Sequence, residues 1–142
     1  MEPISIPSQS VPVLTSVDVC VAGGSCTGVF AAIRAAQAGC SVAIIEAQNR
    51  FGGTAAASQV SIWHSLFAMD NHTRIIGGLT QEVIDRLGKR NAITLETKPN
   101  PSIYAILNTE ELAIELDEMV LENHITPFLH SRVVNVWRDD DG

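Results

Sequence analysis

Residues 17–46 read VDVCVAGGSCTGVFAAIRAAQAGCSVAIIE, and the order of their parts decides the fold. A short apolar run, Val17 to Ala22, leads straight into the turn Gly23-Gly24-Ser25-Cys26-Thr27-Gly28. An alanine-rich helical stretch then runs to Ala38 and stops at Gly39, and a second apolar run, Ser41 to Ile45, ends on Glu46. The helical stretch carries only Arg34 and Gln37 as clearly polar side chains. They lie three apart, on one narrow face, as in a helix laid deep against a sheet. The second apolar run is continuous rather than alternating, which is the mark of a strand covered on both faces. Strand, glycine turn, helix, strand and acid is the order of a βαβ unit that holds a dinucleotide. The backbone N–H groups of such a turn face a pyrophosphate at the positive end of the helix. An acid about 20 residues on accepts hydrogen bonds from a ribose hydroxyl. Glu46 stands at that place, 18 positions beyond Gly28.

Aligned on G-x-G-x-x-G, the Rossmann fingerprint, the glycines are Gly23 and Gly28, with Gly24 in the free position and Ser25 where the second glycine belongs. A serine there reduces the clearance for a pyrophosphate, although its hydroxyl can itself bond a phosphate oxygen. The expected fold is therefore α/β, a Rossmann-like FAD/NAD(P)-binding domain built on a parallel sheet.

Composition narrows the function. With 142 residues and 46% hydrophobic content, the chain has the material for one globular domain. Its formal net charge is −7 and its nine Lys and Arg residues form no run, so no nucleic-acid surface is expected. A pyrophosphate must be held by backbone and helix dipole. Cys20, Cys26 and Cys40 are an odd number without metal-type spacing, so neither a disulfide framework nor a metal site is expected, and a reducing cytoplasm fits best. No stretch is long and apolar enough for a membrane span. Residues 1–16, with three prolines and four serines, read as a flexible extension, and residues 17–142 as the domain. The triplet Asn71-His72-Thr73 matches a glycosylation sequon and is discounted as chance.

Beyond Glu46 the chain reads Ala47-Gln48-Asn49-Arg50-Phe51-Gly52-Gly53-Thr54. A glycine pair here brings bare backbone close to a flat ring or a pyrophosphate, or else forms a simple turn at a helix N-terminus. VAGGSCTG followed by IIEAQNRFGGT resembles the N-terminal, FAD-binding part of FAD-dependent oxidoreductases of the glutathione-reductase-like, two-dinucleotide-binding-domain type. SIWHSLF and IIGGLTQEVIDRL resemble the broad group of FAD-dependent oxidoreductases. The resemblance implies FAD as cofactor and specifies no substrate. It implies that Gly23, Gly24, Ser25, Thr27 and Gly28 face the pyrophosphate and Glu46 the adenosine ribose. Arg50, Gly52, Gly53 and Thr54 fall to the pyrophosphate and flavin side, and Val133 joins the cofactor set. It also puts the neighbourhood of Trp63 and His64 near the flavin ring, where His64 is a candidate to orient substrate or move a proton. A satisfied, partly buried histidine is the plainer reading. Cys26, at a helix N-terminus, is either a reactive thiol or a small residue fitted into the turn.

Further on, Val60 to Met69 is expected to be a short helix or an irregular active-site segment. Leu79, Val83 and Leu87 mark the face of a helix from Leu79 to Arg90, whose terminal cations suit its dipole. Asn91 to Asn108, broken by Pro99 and Pro101, reads as a loop or extended segment. Asn108 and Glu111 suggest the cap of a helix reaching Asn123, with Leu112, Leu116, Met119 and Val120 at core spacing and its six acids on a solvated face. A third sheet strand is expected at Ile125–Leu129 and another at Val133–Trp137, running into a hairpin turn at Asp140-Asp141-Gly142. That ending would start an antiparallel β-meander, as in flavoproteins of this kind, and the chain then reads as the N-terminal portion of a larger domain. Three functions remain open on this reading: an FAD-binding segment of an oxidoreductase acting on a small molecule, an NAD-binding dehydrogenase domain, or a truncated non-catalytic dinucleotide fold. Association is expected in each case, as a homo-oligomer or with a complementing C-terminal half.

Overall fold

The computed structural model describes residues 8, 10–64, 66–70, 72–97 and 103–138. The expected βαβ unit is present. Strand β1 (Val19–Ala22) leads through the glycine turn into helix α1 (Cys26–Gln37) and back into β2 (Val42–Ile45), which pairs with β1 in parallel from Val19 opposite Val42 to Ala22 opposite Ile45. At the far end of these strands Asp18 accepts hydrogen bonds from the Ser41 amide and hydroxyl, at 2.7 and 2.6 Å, which fixes their register.

A short helix α2 (Gly53–Ala56) follows, then β3 (Ile62–Trp63), helix α3 (Leu79–Lys89), β4 (Ile93–Thr97) and β5 (Ile103–Leu107). Helix α4 (Thr109–Glu122) and β6 (Thr126–Phe128) close the described order. β6 joins β2 in parallel, so the first sheet runs β1-β2-β6. The second sheet is antiparallel, in the order β3-β5-β4.

Helix α4 is the hub, touching α1, α2, α3 and β6. Its Leu112, Leu116, Met119 and Val120 are buried as their spacing predicts, and they join Val29 and Ile33 of α1, Ile44 of β2 and Val83 and Leu87 of α3 in one core. Asn108 caps α4 by accepting from the amides of Glu110 and Glu111.

Asn91–Asn108, expected as a loop or extended segment, takes the extended alternative where it is described, as the antiparallel strands β4 and β5. Two expectations change. Val60–Met69 is not a helix, since it supplies β3 to that sheet. Val133–Trp137 forms no strand among the described residues; Val134, Val136 and Trp137 are 79–90% exposed, and a strand without a neighbour to bond has nothing to hold it. The antiparallel sheet is thus inserted between β2 and β6 rather than begun at Val133. The suggested hairpin at Asp140-Asp141-Gly142, and Asn71 of the sequon, lie outside the described residues.

Candidate functional site

The glycine turn is built by close approach. The Gly23 amide donates to the Ile45 carbonyl at 2.8 Å, and Gly23 sits at φ +117° with open space where a side chain would project. A Cβ on Gly28 would run into the Gly23 carbonyl, so the third glycine lets α1 start hard against the turn. Ser25 is the N-cap, its hydroxyl accepting from the Gly28 amide at 3.4 Å.

Glu46 holds this turn from the neighbouring strand. It is only 9% exposed, and one carboxylate oxygen accepts from the Gly24 amide at 2.7 Å while the other accepts from Gln48 at 2.7 Å. Its backbone bonds the chain after β6, accepting from the Ser131 amide at 2.9 Å, and Gln48 accepts from His130 at 3.0 Å. These contacts frame an open cleft of about 280 Å³ at the carboxyl edge of the parallel sheet, bordered by Gly23, Glu46, Ala47, Ser131, Arg132 and Val133. Ligands of open α/β sheets bind at that edge.

The second glycine pair is stitched to the same turn. Gly52 donates to the Gly24 carbonyl at 2.8 Å, pairs with Ser25 as an isolated parallel bridge, and accepts from the Cys26 thiol at 3.6 Å. Phe51, 2% exposed, fills the space under Gly24, where any Cβ would meet its ring and the Glu46 Cβ. Burial pushes the Cys26 thiol up to about 11, so it is a fitted small residue and not a ready nucleophile.

Gly23, Gly24, Ser25, Gly28, Glu46, Gly52 and Gly53 therefore come together, with Thr27 and Thr54 exposed beside them. Arg50 stands apart: its guanidinium donates from Nη1 to the two oxygens of Glu110 on α4, at 2.7 and 2.8 Å. His64 follows β3, is exposed rather than partly buried, and does not border the Glu46 cleft. Ser131, Arg132, Phe51 and Glu110 were not singled out from sequence. Phe51 could have been, since an aromatic beside two glycines in a tight turn needs a place to pack. The others are joined to the site only by tertiary pairing.

Comparison with known proteins agrees with this fold. THI4 from Thermovibrio ammonificans superposes with a TM-score of 0.51 at 22% identity, over 80% of this chain and 38% of that one. A geranylgeranyl bacteriochlorophyll reductase-like protein from Thermoplasma acidophilum superposes with a TM-score of 0.55 at 14% identity, over 87% of this chain and 32% of that one. The likeness is one of fold, and the chain spans about a third of the length of each structure. No curated protein sequence matches it. Residues 18–142 match the family described as FAD dependent oxidoreductase, and the chain belongs to that family.

Proposed function

We propose that residues 17–142 bind the ADP part of FAD along the turn from Gly23 to Gly28, with the adenosine ribose on Glu46, as the cofactor domain of a flavin-dependent oxidoreductase. In this reading Gly23, Gly24, Ser25, Thr27 and Gly28 face the diphosphate and Val133 borders the adenosine end. Gly52, Gly53 and Thr54 lie toward the flavin, and Arg50 serves the same side only by leaving Glu110. Residues 1–16 precede the domain as an extension.

One observation carries the reading: a buried carboxylate at the end of β2 grips the glycine turn and borders a cleft at the carboxyl edge of the sheet. A carboxylate oxygen has two lone pairs, so each Glu46 oxygen can accept a ribose hydroxyl besides its backbone amide. The open space at Gly23 and the cap at Ser25 suit a phosphate at the start of α1. When bound, a flavin supplies the hydride or electron-pair chemistry, and the protein binds, orients and shields it. His64 is the candidate for a substrate-side proton transfer.

The substrate-binding part of the enzyme is supplied in this reading by polypeptide beyond these residues, by a second copy or by a complementing chain. An apolar groove of about 690 Å³ supports it, bordered by Cys20, Ile45 and Phe128 of the parallel sheet and by Val13, Leu14 and Trp137. The three cysteines are free, as a cytoplasmic setting requires, and among the described residues no helix is long and apolar enough to cross a membrane. Alone, the chain is expected to bind FAD weakly and to show little turnover.

The test is a titration with FAD and with NAD, followed by flavin fluorescence and calorimetry, beside Glu46→Ala. Binding of FAD but not NAD, weakened at least about tenfold by the substitution, is the expected result. Failure of FAD to bind well above micromolar concentration would sink the proposal.

A further inference from the structure

The serine that replaces the second glycine of the fingerprint is accommodated from the side of the second glycine pair. Ser25 has φ −62° and ψ 169°, ordinary extended backbone, so the position does not demand glycine for its conformation. Space is the constraint, and Gly53 relieves it. A Cβ built on Gly53 would lie 2.9 Å from the Ser25 Cβ and 3.1 Å from its Cα, too close for two carbons to coexist without movement. Gly53 also sits at φ +50°. The loop cannot simply swing away, because Gly52 is tied to Gly24, Ser25 and Cys26. With its Cβ against this wall, the Ser25 hydroxyl accepts the Gly28 amide and keeps its own O–H to donate. Ser25 is exposed, so that donor is within reach of a ligand.

We propose that Ser25 and Gly53 are one coupled positioning pair: the missing side chain at Gly53 lets the Ser25 Cβ lie against the loop, which holds the hydroxyl at the start of α1 as a donor to a diphosphate. This rests on the FAD reading above. The serine does in one side chain what the fingerprint does with bare backbone, and the second loop makes room for it.

The test uses the 142-residue chain with Ser25→Ala, Ser25→Gly, Gly53→Ala and the double variant Ser25→Gly/Gly53→Ala. Each is followed by thermal unfolding and by calorimetric titration with ADP and with adenosine, which lacks the diphosphate. Ser25→Ala is expected to weaken ADP about threefold to tenfold and to change adenosine by less than about twofold. Gly53→Ala is expected to lower the unfolding temperature, and the double variant to recover at least half of that loss, because the 2.9 Å Cβ–Cβ collision is gone while the 3.1 Å approach to the residue-25 Cα and the strain at φ +50° remain. Equal weakening of ADP and adenosine by Ser25→Ala overturns the donor role. A double variant whose loss equals the sum of the two single losses overturns the coupling. If Gly53→Ala fails to fold, folding of the double variant is the rescue, and its failure beside a folded Ser25→Gly overturns the coupling as well. A wild-type chain that binds neither FAD nor ADP overturns the cofactor reading together with the donor role, whereas the unfolding cycle still decides whether residues 25 and 53 are coupled.

Discussion

Cys26 shows how one turn can hold a thiol without making it reactive. A helix N-terminus favours a thiolate, yet burial against the Gly52 loop dominates and the group rises to about 11. At pH 8 the folded thiol is then on the order of a thousandth ionised, against roughly a quarter for an ordinary cysteine of pKa about 8.5. Iodoacetamide at pH 8 is expected to modify Cys26 at least about a hundredfold more slowly in the folded chain than in urea, while the exposed Cys20 reacts in either state. Mass spectrometry of timed digests gives the two rates, and equal labelling of Cys20 and Cys26 in the folded chain would contradict the burial argument. The same shift fixes a sign for stability. Because folding raises this pKa, its contribution is full below about 8.5 and is lost as pH climbs toward about 11. The glycines, Ser25 and Glu46 were readable as a set because the unit is contiguous and its spacing carries its geometry. The fit of Ser25 to Gly53 was not, since it depends on a loop returning across 28 residues.

Helices α3 and α4 are joined by an ion cluster that the charge pattern of either helix alone does not reveal. Glu115 is 2% exposed and accepts from Arg86 Nη1 at 2.8 Å, with Arg90 Nε at 3.1 Å. Arg86 also meets Glu82 and Glu122, and Arg90 meets Glu111 and Glu118. Glu115 therefore lies inside the packing and not on the solvated face expected for the acids of α4. Removing a buried charge that binds two partners costs more than removing a rim charge. The arginines, however, keep their outer carboxylates, so the loss stays below that of a fully orphaned buried ion. Glu115→Ala is expected to cost about 2–3 kcal/mol and Glu122→Ala less than about 1 kcal/mol, read from urea unfolding. Similar losses for the two would place Glu115 energetically at the surface. The helices themselves were legible, because Leu79, Val83 and Leu87, and Leu112, Leu116, Met119 and Val120, recur at helical spacing and are buried. Their pairing was not, since which arginine meets which acid is set by how two helices cross. The β4-β5 ladder was half legible: Ile93-Thr94-Leu95-Glu96-Thr97 alternates as a strand should, but the two nearby prolines leave the reading open between a loop and an extended segment.

At the scale of the whole molecule, an acidic protein is asked to bind an anion. The formal net charge is −7, while the proposed diphosphate site uses backbone amides, a serine hydroxyl and the start of α1. Helix-terminal and hydrogen-bond attraction falls off within one turn, and at that contact range salt screens it less than it screens charges spread over the surface. Repulsion from the summed charge acts across the molecule, and it is screened as the Debye length falls from about 30 Å at 0.01 M to about 8 Å at 0.15 M. Arg50 does little to offset it, because Glu110 already takes its charge and Asp117, whose carboxyl burial pushes up and the Arg50 charge pulls down, lies close by. Arg132, bordering the cleft, is a single local cation against that field. Long-range repulsion should therefore decide the sign of the salt effect. ADP and FAD are expected to bind severalfold more tightly at 0.15 M than at 0.01 M sodium chloride, the reverse of a basic phosphate site, whereas adenosine should change little. Calorimetric titrations at the two salt concentrations measure it directly. Weaker ADP binding at the higher salt would mean that direct cation contacts, with Arg132 or a released Arg50, hold the diphosphate, and that the backbone-held site drawn from the glycine turn is incomplete.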